Sequence, residues 1–132
     1  MKLKALTLAH GAEIFKAFSE EARIRIVNLI HDHEEMCVSD LEQILDFSQT
    51  KTSRHVNYLK NIGLLGLKKR DQWIYYYIKE EYSGVIVQLL AYVQKDNLLL
   101  EDMRNYKILY SNNALAIRKV HNQQSRYNLP EL

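Results

Sequence analysis

Apolar residues recur at helical spacing along most of the chain, switch once to a two-residue period, and then return to helical spacing. Leu3, Leu6 and Ala9 lead into Ile14, Ala17 and Phe18, which predicts a first helix over Leu8–Phe18. Ser19 is placed to cap a second helix, with Glu20 and Glu21 at the positive end of its dipole and Ile24, Val27, Leu29 and Ile30 facing a core. That helix ends near His31, in the charged run His-Asp-His-Glu-Glu. The run Ser39-Asp-Leu-Glu42 reads as a capping box opening a third helix, in which Leu41, Ile44 and Leu45 point inward.

A turn at Asp46, Phe47 and Ser48 leads into a fourth helix, predicted over Gln49–Asn61 with Ser48 as its cap and Gly63 as its stop. At about 100° per residue, Thr52, His55, Val56 and Leu59 share one side of this helix, and Thr50, Ser53, Arg54 and Asn57 share the other. The first side is core; the second faces water or a ligand. Two strands rich in β-branched and aromatic residues follow, Leu64–Arg70 and Trp73–Ile78, separated by Asp71 and Gln72 without the glycine of a tight hairpin turn.

From Glu80 the pattern is helical again, and Tyr82, Val85, Ile86, Leu89, Leu90 and Val93 form a continuous apolar stripe. Asp96 and Asn97 break or cap it. A further amphipathic segment runs through Leu98, Leu99, Met103, Tyr106 and Leu109, and Asn112 and Asn113 break the chain before Ala114–His121. Beyond Gln123 a polar, fraying tail is expected. Helix, short turn, helix and basic hairpin in that order predict a mostly α fold with a small β-hairpin, a dimeric winged helix-turn-helix. Residues 1–96 form the winged helix-turn-helix domain in this reading, and residues 97–132 a C-terminal helical extension and tail.

A chain of 132 residues with 47% apolar and 26% charged positions is that of one ordinary globule. No run approaches the roughly 18 apolar residues of a membrane span, and Met1–His10 lacks the apolar core of a signal peptide, so a cytoplasmic location and no membrane partner are expected. Cys37 is the only thiol, which excludes an intrachain disulfide. There is no phosphate loop, nucleophile elbow or paired-histidine zinc signature, so neither an enzyme nor a cofactor is expected.

Net charge is only +2, but residues 49–79 carry seven Lys and Arg against one Asp, whereas residues 1–48 carry five against nine and residues 80–132 six against six. A patch of +6 is either a solvated basic face or the footprint of a phosphate backbone. The small, hydroxylated outward side of the fourth helix favours the second, because such a helix can enter a DNA major groove. Gln49, Thr50, Ser53 and Arg54 are the candidates for the groove, with Arg54 as a bidentate guanine partner and Asn57 and Gln72 beside them. Ser48, Lys51, Lys60, Lys68, Lys69 and Arg70 are the candidates for backbone positioning. The partners expected are double-stranded DNA and a second copy of the chain, the latter through Phe15, Tyr82, Val85, Ile86, Leu89, Leu90 and Val93, the competing reading being that this stripe packs only within its own chain. The rival class is a winged-helix protein-interaction module docking through its apolar C-terminal segment, and the concentration of positive charge argues against it.

The runs Glu-Met-Cys-Val-Ser-Asp-Leu-Glu-Gln-Ile-Leu, Phe-Ser-Gln-Thr-Lys-Thr-Ser-Arg-His-Val-Asn-Tyr-Leu-Lys-Asn-Ile-Gly-Leu-Leu and Asp-Gln-Trp-Ile-Tyr-Tyr-Tyr-Ile closely resemble the ArsR/SmtB family of winged-helix bacterial repressors, over about residues 10–95. The resemblance implies a homodimer that binds a promoter palindrome and releases it on sensing an inducer. It also implies metal ligands that are missing here. The family's metalloid sensors open the third helix with Cys-Val-Cys-Asp, since soft ions need converging thiolates; this chain has Cys37, Val38, Ser39 and Asp40. The zinc sensors place Asp and His pairs on the long helix at the dimer interface, and Glu80–Tyr110 contains no histidine. His31 and His33 with Glu34 and Glu35, or His10 with Cys37 across a dimer, are weaker candidate metal sites. Cys37 is either a redox or ligand residue or a small core hydrophobe. His55 matches the family's recognition-helix histidine but lies on the inward side, as a brace or a DNA contact.

Overall fold

The computed structural model describes residues 5–127; the predicted start of the apolar pattern at Leu3 and the last residues of the tail lie outside them. Four helices come first, α1 (Leu8–Ala17), α2 (Glu21–His33), α3 (Val38–Leu45) and α4 (Gln49–Asn61), followed by strands β1 (Leu65–Arg70) and β2 (Trp73–Ile78). A single 3₁₀ turn at Glu80–Tyr82 leads into α5 (Ser83–Ala91), α6 (Asn97–Ser111) and α7 (Ala116–Tyr127). Ile14, Ile26, Leu29, Leu41, Val56, Leu59, Leu64, Tyr75, Ile86 and Leu90 are buried in one cluster, which Tyr106, Leu115, Ile117 and Val120 of the C-terminal segment join. The segment after Asn97 therefore packs back on α2 and α3 of its own chain.

Caps set several boundaries. The Thr7 hydroxyl accepts from the His10 N–H and that of Ser48 from the Lys51 N–H, both at 3.1 Å, and Asp96 Oδ1 accepts from the Leu98 N–H at 2.8 Å. Two expected caps are absent. The Ser19 hydroxyl instead donates to the Lys16 carbonyl at the end of α1, and Glu20 precedes α2 without a side-chain cap. The Ser39–Glu42 capping box is also not formed. Val38 packs against the core and draws the start of α3 forward, so Cys37 is the cap position and Ser39 Oγ lies 3.4 Å from Cys37 Sγ.

The hairpin pairs Leu65 with Ile78 through Arg70 with Trp73. Its turn works without glycine because Asp71 takes a φ of 54°, a left-handed conformation that Asp tolerates. Gly66 makes room for the Tyr77 ring across the ladder, whose tip would lie 2.5 Å from a Cβ there and would have to shift. Met36 exchanges backbone hydrogen bonds with Tyr76 at 3.0 and 2.8 Å, which fastens the hairpin to the α2–α3 connection. The continuous helix expected from Glu80 is shorter than its stripe, ending at Ala91. The last helix is longer than expected, continuing past His121 to Tyr127.

Candidate nucleic-acid interface

The sequence divides α4 into two sides, and the fold buries one of them. Thr52, His55, Val56 and Leu59 are buried, while Ser48, Gln49, Thr50, Arg54, Asn57 and Lys60 are exposed and Lys51 and Ser53 half-exposed. The Thr52 hydroxyl donates to the Ser48 carbonyl at 2.8 Å, so the first turn is closed by both the cap and its inward threonine. Lys51 Nζ lies 3.9 Å from the centre of the Phe47 ring, where a cation–π contact holds it beside the helix start. Arg54 forms no hydrogen bond or ion pair among the described residues.

Behind α4 stands a cation that sequence reasoning did not single out. Arg23 is buried; its Nε donates to the Ala17 carbonyl at 2.9 Å and Nη2 to the Lys16 carbonyl at 3.1 Å, and its guanidinium covers the Tyr58 ring at 4.2 Å. Glu20 balances it at 3.4 Å and lies 3.8 Å from His55 Nε2. Arg23 Nη1 also lies 3.5 Å from His55 Nδ1. Burial, then the charge of Arg54, pushes the His55 imidazole below its ordinary value. His55 thus braces α4 against α1 and α2 from the inward side.

The hairpin presents its cations unequally. Glu35, buried in the α2–α3 connection, pairs with Lys68 and with Arg70, whose Nη2 donates to it at 3.3 Å and whose Nε lies 2.8 Å from its other oxygen. Lys69 and Gln72 are exposed and free of such partners. Nothing in the charged run around Glu35 marks it as the residue that holds the hairpin, because the pairing spans more than thirty residues.

Two of the weaker candidate metal ligands, His33 and His10, are engaged within the chain. His33 stacks on Tyr106 with ring centroids 3.4 Å apart, and His10 meets the Ile62 carbonyl at 3.0 Å and the Tyr82 hydroxyl at 3.1 Å. Cys37 is buried, and burial pushes its thiol above the ordinary value, with Asp40 adding to the effect. Among the described residues no three His, Cys, Asp or Glu converge as a metal site.

The apolar stripe of α5 divides in two. Tyr82, Ile86 and Leu90, expected at a dimer contact, are instead buried inside their own chain, because residues four apart line the side turned to the core. Val85 and Leu89 are half-buried and Val93 is exposed on the other side, with Tyr92 at 87% exposure beyond them. On α1, Phe15 is 65% and Leu8 92% exposed.

A capped helix with one buried side, preceded by a short helix and followed by a two-stranded hairpin, defines a winged helix-turn-helix protein. Residues 20–65 match the model of the bacterial regulatory protein, arsR family. The chain is 35% identical to an uncharacterized HTH-type transcriptional regulator of Methanocaldococcus jannaschii, over 61% of this chain and 90% of that protein. It is 32% identical to an arsenic resistance transcriptional regulator of Pseudomonas putida, over 78% of this chain and 91% of that one. The crystal structure of the transcriptional repressor PagR of Bacillus anthracis superposes with a TM-score of 0.57 at 28% identity, covering 63% of this chain and 95% of the other. The chain belongs to the ArsR family, a family of transcription regulators and not of enzymes. No helix among the described residues is long and apolar enough to cross a membrane.

Proposed function

We propose that this protein is a sequence-specific, DNA-binding transcriptional repressor that acts in the cytoplasm as a homodimer on a promoter palindrome. One observation carries the reading: Gln49, Thr50, Arg54 and Asn57 stand exposed on a helix whose other side is wholly fixed in the core. Gln49, Thr50, Ser53 and Arg54 read base edges, while Ser48, Lys51, Lys60 and Lys69 hold the phosphates. The second copy docks on Phe15, Leu8, Val85, Leu89, Tyr92 and Val93, which leaves two recognition helices to meet half-sites about one helical turn apart.

Duplexes selected from a random library by the purified protein test the proposal. Arg54→Ala is expected to lose about 1–3 kcal/mol of affinity and relax one base preference, whereas Lys69→Ala weakens all sequences alike and lowers the salt slope by about one. Undiminished affinity and selectivity in Arg54→Ala would remove α4 from the groove.

A further inference from the structure

The neutral charge count of the C-terminal segment hides a division. Residues 80–102 carry one Lys against five Asp and Glu, whereas residues 103–127 carry five Lys and Arg and no acid at all. The fold brings α7 of this half beside the hairpin tip. Val120, Gln123 and Gln124 of α7 line one cleft of about 250 Å³ with Arg70 and Asp71 at the hairpin tip. At its other end α7 begins on α3: the buried Asp40 carboxylate accepts from the Ala116 N–H at 2.7 Å and the Ile117 N–H at 3.0 Å. This helix therefore runs from α3, where Asp40 fixes its start, toward the hairpin turn.

Its inward side is apolar, with Ala116, Ile117 and Val120 buried, and Lys119, Asn122 and Gln123 are exposed. Arg118 is engaged over the Tyr110 ring at 4.7 Å, but Lys119 makes no ion pair among the described residues. We infer that α7 is a second nucleic-acid contact element, in which Lys119 and the amides of Asn122 and Gln123 hold the phosphate backbone of the duplex where it passes beyond the hairpin tip. The inference rests on the DNA-binding reading above and extends its footprint. Duplex DNA is the occupant that the face fits, for three reasons. Lysine and side-chain amides are phosphate donors, α7 itself carries no acid to repel an anion, and it lies beside the hairpin tip, where Asp71 is the one acid lining the cleft and Lys69 has no ion-pair partner among the described residues. The tie to Asp40 also means that no loose helix has to be ordered on binding.

The hairpin alone offers little for that stretch of backbone. Glu35 already neutralises Lys68 and Arg70, leaving Lys69 as its free cation among the described residues. A cation supplied from α7 restores contact that the internal pairing withdraws.

The test uses the full chain and a duplex that the wild-type protein selects from a random library. Lys119→Glu with Asn122→Asp should weaken binding tenfold or more and erase protection of the outermost backbone in a hydroxyl-radical footprint, leaving the centre protected. Lys119→Gln should lower the salt slope by about one per protomer. Both positions are exposed, so melting curves matching the wild type are expected and confirm that the fold is intact. Wild-type affinity and an unchanged footprint in a correctly folded double variant would overturn the α7 contact while leaving the α4 reading standing. A selection that recovers no bound duplex would overturn both.

Discussion

Asp40 and Ala116 lie 76 positions apart in sequence, yet the carboxylate of one caps the helix that begins at the other, at 2.7 Å. The first helix of the helix-turn-helix thereby serves as the N-cap of the last helix in the chain. Removing the acceptor leaves two N–H groups unsatisfied in a buried place, so Asp40→Ala is expected to cost about 1–3 kcal/mol. Hydrogen exchange should locate the damage: α7 amides lose protection while those of α4 keep theirs. Equal loss in both helices would mean that the cap stabilises the whole core and not the docking of α7.

The Arg25–Asp102 pair fastens α6 to α2, with both carboxylate oxygens 2.9 Å from the guanidinium. The hydrogen bonds to Asp102 hold the Arg25 pKa above its ordinary value despite partial burial. Exposure of the side chains is unequal, 18% for Arg25 and 1% for Asp102. An orphaned Asp102 cannot reach water, whereas an orphaned Arg25 partly can. Arg25→Met should therefore cost more, about 3–5 kcal/mol, than Asp102→Asn. Urea unfolding of the two variants measures the order, and the reverse order would contradict it.

Glu35 holds two hairpin cations within the protein. Glu35→Gln keeps the shape and releases the charge, so DNA affinity at low salt should rise and the salt slope should steepen by up to about two per protomer. Fluorescence anisotropy over a salt series reads both. A weaker binder would show that Glu35 is needed to orient the hairpin and not to restrain its charge.

His33 stacks on Tyr106 with an interplanar angle of 9°, and burial pushes its imidazole below the ordinary 6.5, with Lys107 adding to and Asp32 opposing the shift. Burial lowers His55 as well. A depressed folded-state value means that the unfolded chain takes up the proton more readily. Both residues thus contribute stability that is full above about pH 6.5 and is lost as pH falls below it. The melting temperature should drop between neutral pH and about pH 5, and His33→Phe, which keeps a stacked ring without the proton, should reduce the drop. An unchanged drop would remove His33 from the pH response.

Most of the helix-turn-helix was legible from residues alone. The bounds of α4, its Ser48 cap and the burial of Thr52, His55, Val56 and Leu59 agree with the reading by periodicity, because an amphipathic helix carries its two environments in its own spacing. The hairpin was legible for the same reason, through alternation interrupted at Asp71 and Gln72. The Ser39 cap and the continuous helix from Glu80 were not. Each depended on where Val38, Tyr82, Ile86 and Leu90 find a core, and local propensity yields to that packing.

The sequence by itself determined which side of α4 is dry, that positive charge gathers between Gln49 and Lys79, and that Cys37 has no second thiolate near it in the chain. Periodicity and composition are local properties, and they survive without coordinates. Only the tertiary structure decided that Glu35 restrains Lys68 and Arg70, that Arg23 stands behind His55, and that Asp40 fixes α7 beside the hairpin. These are pairings between polar groups far apart in the chain, and their strength comes from burial that no single segment contains.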